Sequence, residues 1–177
     1  MVVAIFSIVS AMAVPALMSS SAQIQLASAT RQVERELQQA RMRAVRGDRT
    51  IRIRFNCPGA GQYRMVEVLG TFNAPAVDDA DARAAQRCSE TNYPFPDPNT
   101  EYFAIPNNDG PLKTLPTGVA FSASQTLDFW PNGTVHDGGQ FDPLGAPATL
   151  RLYDVKKGTS FNRAITVNGL GKITYQQ

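Results

Sequence analysis

The sequence predicts an α+β protein: a long N-terminal helix, membrane-spanning in its first half, followed by an antiparallel β-sheet domain. Three observations carry this. An uncharged apolar run fills residues 1–18, it continues without a turn signal into an amphipathic stretch, and alternating segments separated by turns fill most of residues 48–177. Helix first and strands afterwards is α+β order, without the alternation of a parallel βαβ sheet.

The apolar run reads MVVAIFSIVSAMAVPALM and is interrupted only by Ser7, Ser10 and Pro15. As a helix it reaches about 27 Å, close to the roughly 30 Å hydrocarbon core of a bilayer. The membrane or assembly face is assigned to Val2, Val3, Ile5, Phe6, Ile8, Val9, Val14 and Pro15, with Pro15 kinking the helix. Two other readings compete. A cleaved secretory signal is imitated by Ala11-Met12-Ala13, but no basic residue precedes the run. A buried core helix suits this length and position less well.

Residues 19–47 continue the helix, because no Gly, Pro or turn cluster intervenes before Gly47-Asp48. Leu26, Ala29, Val33, Leu37, Ala40 and Ala44 recur at spacings of three or four and form one apolar stripe. The stripe predicts packing against the protein's own domain.

The chain has 177 residues, 17 Lys/Arg against 15 Asp/Glu, and a formal charge of +2. That length suits one domain with an appendage, and the 43% apolar content excludes wholesale disorder. So small a net charge is not enough to imply a polyanion partner. The distribution says more. Residues 1–30 are uncharged, residues 31–54 carry eight arginines against three acids, and the remainder is net −3. The arginine neck offers charge for phosphate contacts. Its plainer reading is a solvated helix face plus the outer face of the first strand.

That strand is Thr50–Phe55, where Ile51, Ile53 and Phe55 face one side and Arg52 and Arg54 the other. Further strands are expected at 62–69, 101–105, 118–122, 126–130, 148–154, 162–168 and 171–176, with Asn168-Gly169-Leu170-Gly171 turning the last hairpin. An irregular insertion covers about 70–112, with an acidic run at Asp78, Asp79 and Asp81 and a short helix expected over 79–87.

Cys57 and Cys88 are the only cysteines. In a cytosolic protein they would be free thiols. Beyond a membrane anchor they are expected to be bonded, which places the domain in an oxidising compartment. The positive-inside rule would instead hold the arginine neck in the cytoplasm. The disulfide and the β-domain outweigh it, and a basic leader upstream of this chain is expected.

Little points to catalysis. His136 is the sole histidine and lies in a turn-rich stretch, read as surface. Asp78, Asp79 and Asp81 lack the glycine and distal glutamate of a calcium loop, and Asn107-Asn108-Asp109-Gly110 reads as a turn. Asn132-Gly133-Thr134 reads equally as a glycosylation sequon or a tight turn. No catalytic residue, metal or cofactor is predicted.

Four segments carry a family resemblance: Met1–Val9 with Ala13-Val14-Pro15, Leu37–Arg46, Leu127–Thr134, and Arg163–Val167 with Gly171-Lys172-Ile173. In order and spacing they resemble the minor pseudopilin H/FimT family of type II secretion and type IV pilus systems. The family's basic leader, glycine and glutamate are expected upstream. The resemblance implies a non-enzymatic subunit, single-pass in the inner membrane, with its C-terminal domain in the periplasm. Its partners would be other pilin-like subunits, met through the helix, with secreted cargo or assembly machinery also implied. Some members take up DNA through a basic motif at the closing hairpin. The matching Gly171-Lys172-Ile173-Thr174 holds one basic residue. Lys172 is therefore the candidate nucleic-acid contact that the resemblance supplies; Arg52 and Arg54, on the outer face of the first strand, are candidates it does not supply, and DNA is not the favoured partner. A secreted soluble protein with a cleaved signal is the third reading.

Overall fold

The computed structural model describes residues 2–68, 87–91, 93–96 and 109–176, with side chains from Ser20 to Tyr175 within them. One helix, α1 (Val2–Gly47), opens the chain. It stops where Gly47 ends the helix-forming run and Asp48 turns left-handed at φ 49°.

Nine strands follow among the described residues: β1 (Ile51–Phe55), β2 (Gln62–Glu67), β3 (Leu112–Thr114), β4 (Val119–Phe121), β5 (Thr126–Phe129), β6 (Val135–Asp137), β7 (Ala148–Asp154), β8 (Gly158–Val167) and β9 (Ile173–Gln176). They form two antiparallel sheets, ordered β3-β2-β1-β5-β6 and β4-β7-β8-β9. The fold is thus α+β, with one N-terminal helix packed on antiparallel sheets.

The predicted stripe is the buried one. Leu26, Ala29, Val33, Leu37, Ala40 and Ala44 are all buried, and Ala22 extends the row by one turn. Alanine at four of these seven positions lets the helix backbone lie close to the sheets. It touches β1 and β5 of the first sheet and β4, β7, β8 and β9 of the second. The shared core is completed by Ile51, Ile53 and Phe55, by Leu127 and Phe129, and by Leu150, Leu152, Ile165 and Val167.

The strand limits differ from expectation in physically readable ways. β8 begins at Gly158 rather than 162 because Asp154 Oδ1 accepts from the amides of Lys156 (2.9 Å) and Lys157 (3.0 Å), closing a tight turn. β9 begins at Ile173 because Gly171 holds φ 76°. β3 and β6 were not expected, since each is three residues long and follows turn residues, Asp109-Gly110-Pro111 and Pro131-Asn132-Gly133. The strand expected at 101–105 lies outside the described residues, as does the helix expected at 79–87 except for Arg87.

Cys57 and Cys88 are bonded, with Cα atoms 5.6 Å apart, so the insertion is stapled to the end of β1 as expected. Among the described residues no helix is long and apolar enough to cross a membrane. The run 1–18, on which the expected span rests, lies outside the residues whose side chains are described.

Candidate functional site

The first sheet has two covered faces, and this corrects the reading of its arginines. Arg52 was expected on an outer, solvated face. It is 0% exposed, and its Nε and Nη2 donate to Asp128 Oδ1 (2.6 Å) and Oδ2 (2.7 Å). The register places Arg52 of β1 directly opposite Asp128 of β5, so the pair is a cross-strand contact fixed by the ladder. Asp128 Oδ2 also accepts from the Gly139 amide at 3.0 Å. A guanidinium committed in this way is not offered to a phosphate.

The same face continues across β2. Arg64 is buried and donates to four carbonyls: Gly110 (2.7 Å), Tyr93 (2.7 Å), Arg87 (3.0 Å) and Ser89 (3.3 Å). Arg87 donates to Asp109 through Nη2 (2.7 Å) and Nε (3.2 Å), and to the Glu67 carbonyl. Asp109, expected in a simple turn, is buried and accepts from the Glu67 amide at 2.9 Å. Residues 87–91, Tyr93 and residues 109–110 therefore roof the sheet, and buried arginines hold them down. Arg54 is half-buried opposite Arg64 in the β1–β2 register.

His136 is likewise not on the surface. It is 1% exposed and stacks on Trp130, with ring centroids 3.9 Å apart and planes 10° from parallel. A 2.7 Å hydrogen bond joins its Nε2 to Thr134 Oγ1, which also bonds Asn132 Oδ1 at 2.6 Å, so Asn132-Gly133-Thr134 forms a tight turn. Burial lowers the His136 pKa below the usual 6.5, against the pull of nearby backbone carbonyls and Asp128. The unfolded chain then takes up the proton first. Stability is full above pH 6.5 and declines as pH falls through it toward the lower folded value. Thermal melts from neutral pH to about 5 are expected to show this decline, and His136→Phe is expected to flatten it.

Lys172 stands apart from the arginines, on the β8–β9 hairpin of the other sheet, and is exposed. The three candidate nucleic-acid contacts are thus not brought together. The hairpin instead faces α1 across an open groove of about 490 Å³ lined by Gln38, Arg41, Met42, Leu170, Gly171, Lys172 and Ile173. Leu170 at the tip is 76% exposed and Met42 52%. A second groove, about 200 Å³, lies between α1 and β2 under Phe95, with Glu36, Arg43 and Lys113 at its rim. Sequence reasoning missed Leu170 as a surface feature, although an apolar residue between two turn glycines was visible. Among the described residues no cluster of His, Cys, Asp or Glu could hold a metal, and the acidic run 78–81 lies outside them.

A long helix laid on two antiparallel sheets, stapled and roofed by buried ion pairs, is the build of a pilin-like structural subunit. The chain belongs to the GspH family: the model for the type II transport protein GspH matches residues 29–171. This is a family of pseudopilins, structural rather than enzymatic.

Among solved structures, the chain resembles the type IV minor pilin FimU of Pseudomonas aeruginosa strain PAO1 in two crystal forms. These share 18% and 17% identity with TM-scores of 0.50 and 0.51, covering 86% and 88% of this chain and 93% and 90% of FimU. The minor pseudopilin EpsH of the Vibrio cholerae type 2 secretion system shares 13% identity, covering 88% of this chain and 95% of its own, with a TM-score of 0.47. At these identities the likeness concerns the fold alone. No curated protein matches the sequence.

Proposed function

We propose that this GspH-family subunit is held in the bacterial inner membrane by the first half of α1, with its β-domain in the periplasm. On assembly the same half-helix packs among the helices of other pilin-like subunits in a secretion pseudopilus or type IV pilus. The β-domain then meets neighbouring subunits, secreted cargo or assembly machinery. No reaction is catalysed.

One observation carries the reading. α1 has 46 residues, about 69 Å of helix, whereas its buried stripe from Ala22 to Ala44 needs only about 33 Å. Roughly 30 Å of helix precedes the stripe, and that stretch is the uncharged run. The bonded cysteines support an oxidising compartment for the domain. Binding of DNA is not favoured: Arg52 is buried in an ion pair, and Lys172 is the one basic residue of the Gly171–Thr174 segment.

Fractionation of cells making the full chain tests this. The protein is expected to sediment with membranes and resist alkaline extraction, and Ile5→Arg with Val9→Arg is expected to release it. Full-length protein recovered in the soluble periplasm would sink the proposal.

A further inference from the structure

The β8–β9 hairpin is built with more constraint than a surface turn needs. Asn168 Oδ1 accepts from the amides of Leu170 (3.1 Å) and Lys172 (2.8 Å), and the Gly171 amide donates to the Asn168 carbonyl at 2.9 Å. The Gly169 carbonyl accepts from the Val135 amide at 2.9 Å, tying the turn to the other sheet. Arg41 of α1 donates to the Leu170 carbonyl at 3.2 Å. Neither flanking glycine has room for a side chain. A Cβ on Gly169 would lie 2.6 Å from the Leu144 oxygen, and one on Gly171 would lie 2.6 Å from the Gly133 oxygen.

All this fixes the backbone that carries Leu170, whose side chain is 76% exposed. A lone exposed leucine needs no explanation. This one shares its groove with Met42, and Val45, 51% exposed, follows one turn on along the same helix face. The groove lining carries Arg41 and Lys172 and no carboxylate. An apolar side chain carried on a backbone fixed in advance loses only its own rotamer freedom on docking, which suits it to be a binding anchor.

We propose that the helix–hairpin groove, with Leu170 as its anchor, docks the globular domain of a neighbouring, non-identical pilin-like subunit through an apolar socket rimmed by carboxylates. The proposal rests on the filament reading above. Charge complementarity selects the partner. Another copy of this chain offers, among its described residues, the apolar groove under Phe95, but Arg43 and Lys113 outnumber Glu36 at that rim and repel Arg41 and Lys172. Duplex DNA would use the two cations and leave the leucine and the methionine unmatched.

The test places a photoreactive amino acid at Met42 of the full chain, in cells that make the whole assembly. One dominant adduct is expected, to another pilin-like subunit, with the crosslinked peptide in its globular domain and flanked by Asp or Glu. Leu170→Asp is expected to lower the yield about tenfold and Lys172→Glu about threefold. Leu170→Ala, a milder change at an exposed tip, lowers it too and controls for folding. The same probe at exposed Val155 is expected to give no such adduct. A nuclease-sensitive adduct, an adduct to a second copy of this chain, or a yield indifferent to both Leu170 variants overturns the proposal. A probe at Ile8 separates the two readings. If it still captures a pilin-like subunit while Met42 does not, the docking groove fails and the filament reading stands. If neither does, both fail.

Discussion

Asp128→Ala is expected to destabilise the domain by about 3–5 kcal/mol, enough to unfold a marginal variant at physiological temperature. The Arg52 side chain is fully buried, and Asp128 is its charge partner across the β1–β5 ladder. Removing the carboxylate leaves a guanidinium in a place water does not reach. It also strips the Gly139 amide of its acceptor. Removing both charges is a different matter. Arg52→Met with Asp128→Leu replaces a desolvated pair by apolar packing and is expected to recover most of the loss, within about 1–2 kcal/mol of the parent. Urea unfolding of the three proteins decides the point. A single variant as stable as the parent would show that the pair is not buried as described.

Converting Cys57 and Cys88 together to alanine is expected to cost about 3–4 kcal/mol in the chain-entropy model, because the bond closes a loop with a sequence separation of 31. The loss is not expected to detach Arg87, Ser89 and Tyr93. Arg64 holds the same segment through the carbonyls of Arg87, Ser89 and Tyr93, and it does so without the bond. Hydrogen exchange on the double variant should therefore show the unfolding midpoint lowered while amides near Cys88 keep part of their protection. Full loss of that protection in an otherwise folded domain would mean that the arginine clasp has no hold of its own.

Much of the architecture was legible because it rests on local rules. The stripe from Leu26 to Ala44 could be read directly, since a 3.6-residue period without breakers has one interpretation. The disulfide was legible from compartment logic, and β7 was matched to the residue. The arginines were misread for a specific reason. Alternation along Thr50–Phe55 reports that a strand has two unlike faces, but not whether the second face meets water or another layer. The roof over that face is drawn from residues 87–91, Tyr93 and residues 109–110, far away in sequence. A signal was nonetheless present. Asp128 stands between Leu127 and Phe129 in an apolar strand, and an acid so placed calls for a buried cation. His136 was misread similarly, because its cover, the face of Trp130, is a tertiary contact.

The helix has a mechanical role that follows from where it lies. Its stripe from Ala22 to Ala44 rests on strands of both sheets. A pull on the N-terminal half of α1 along its axis is therefore borne in shear by the whole stripe at once, so both sheets share the load. A sideways force would instead peel the contacts apart one turn at a time, starting at Ala22. The domain is thus expected to withstand a pull along α1 better than one across it.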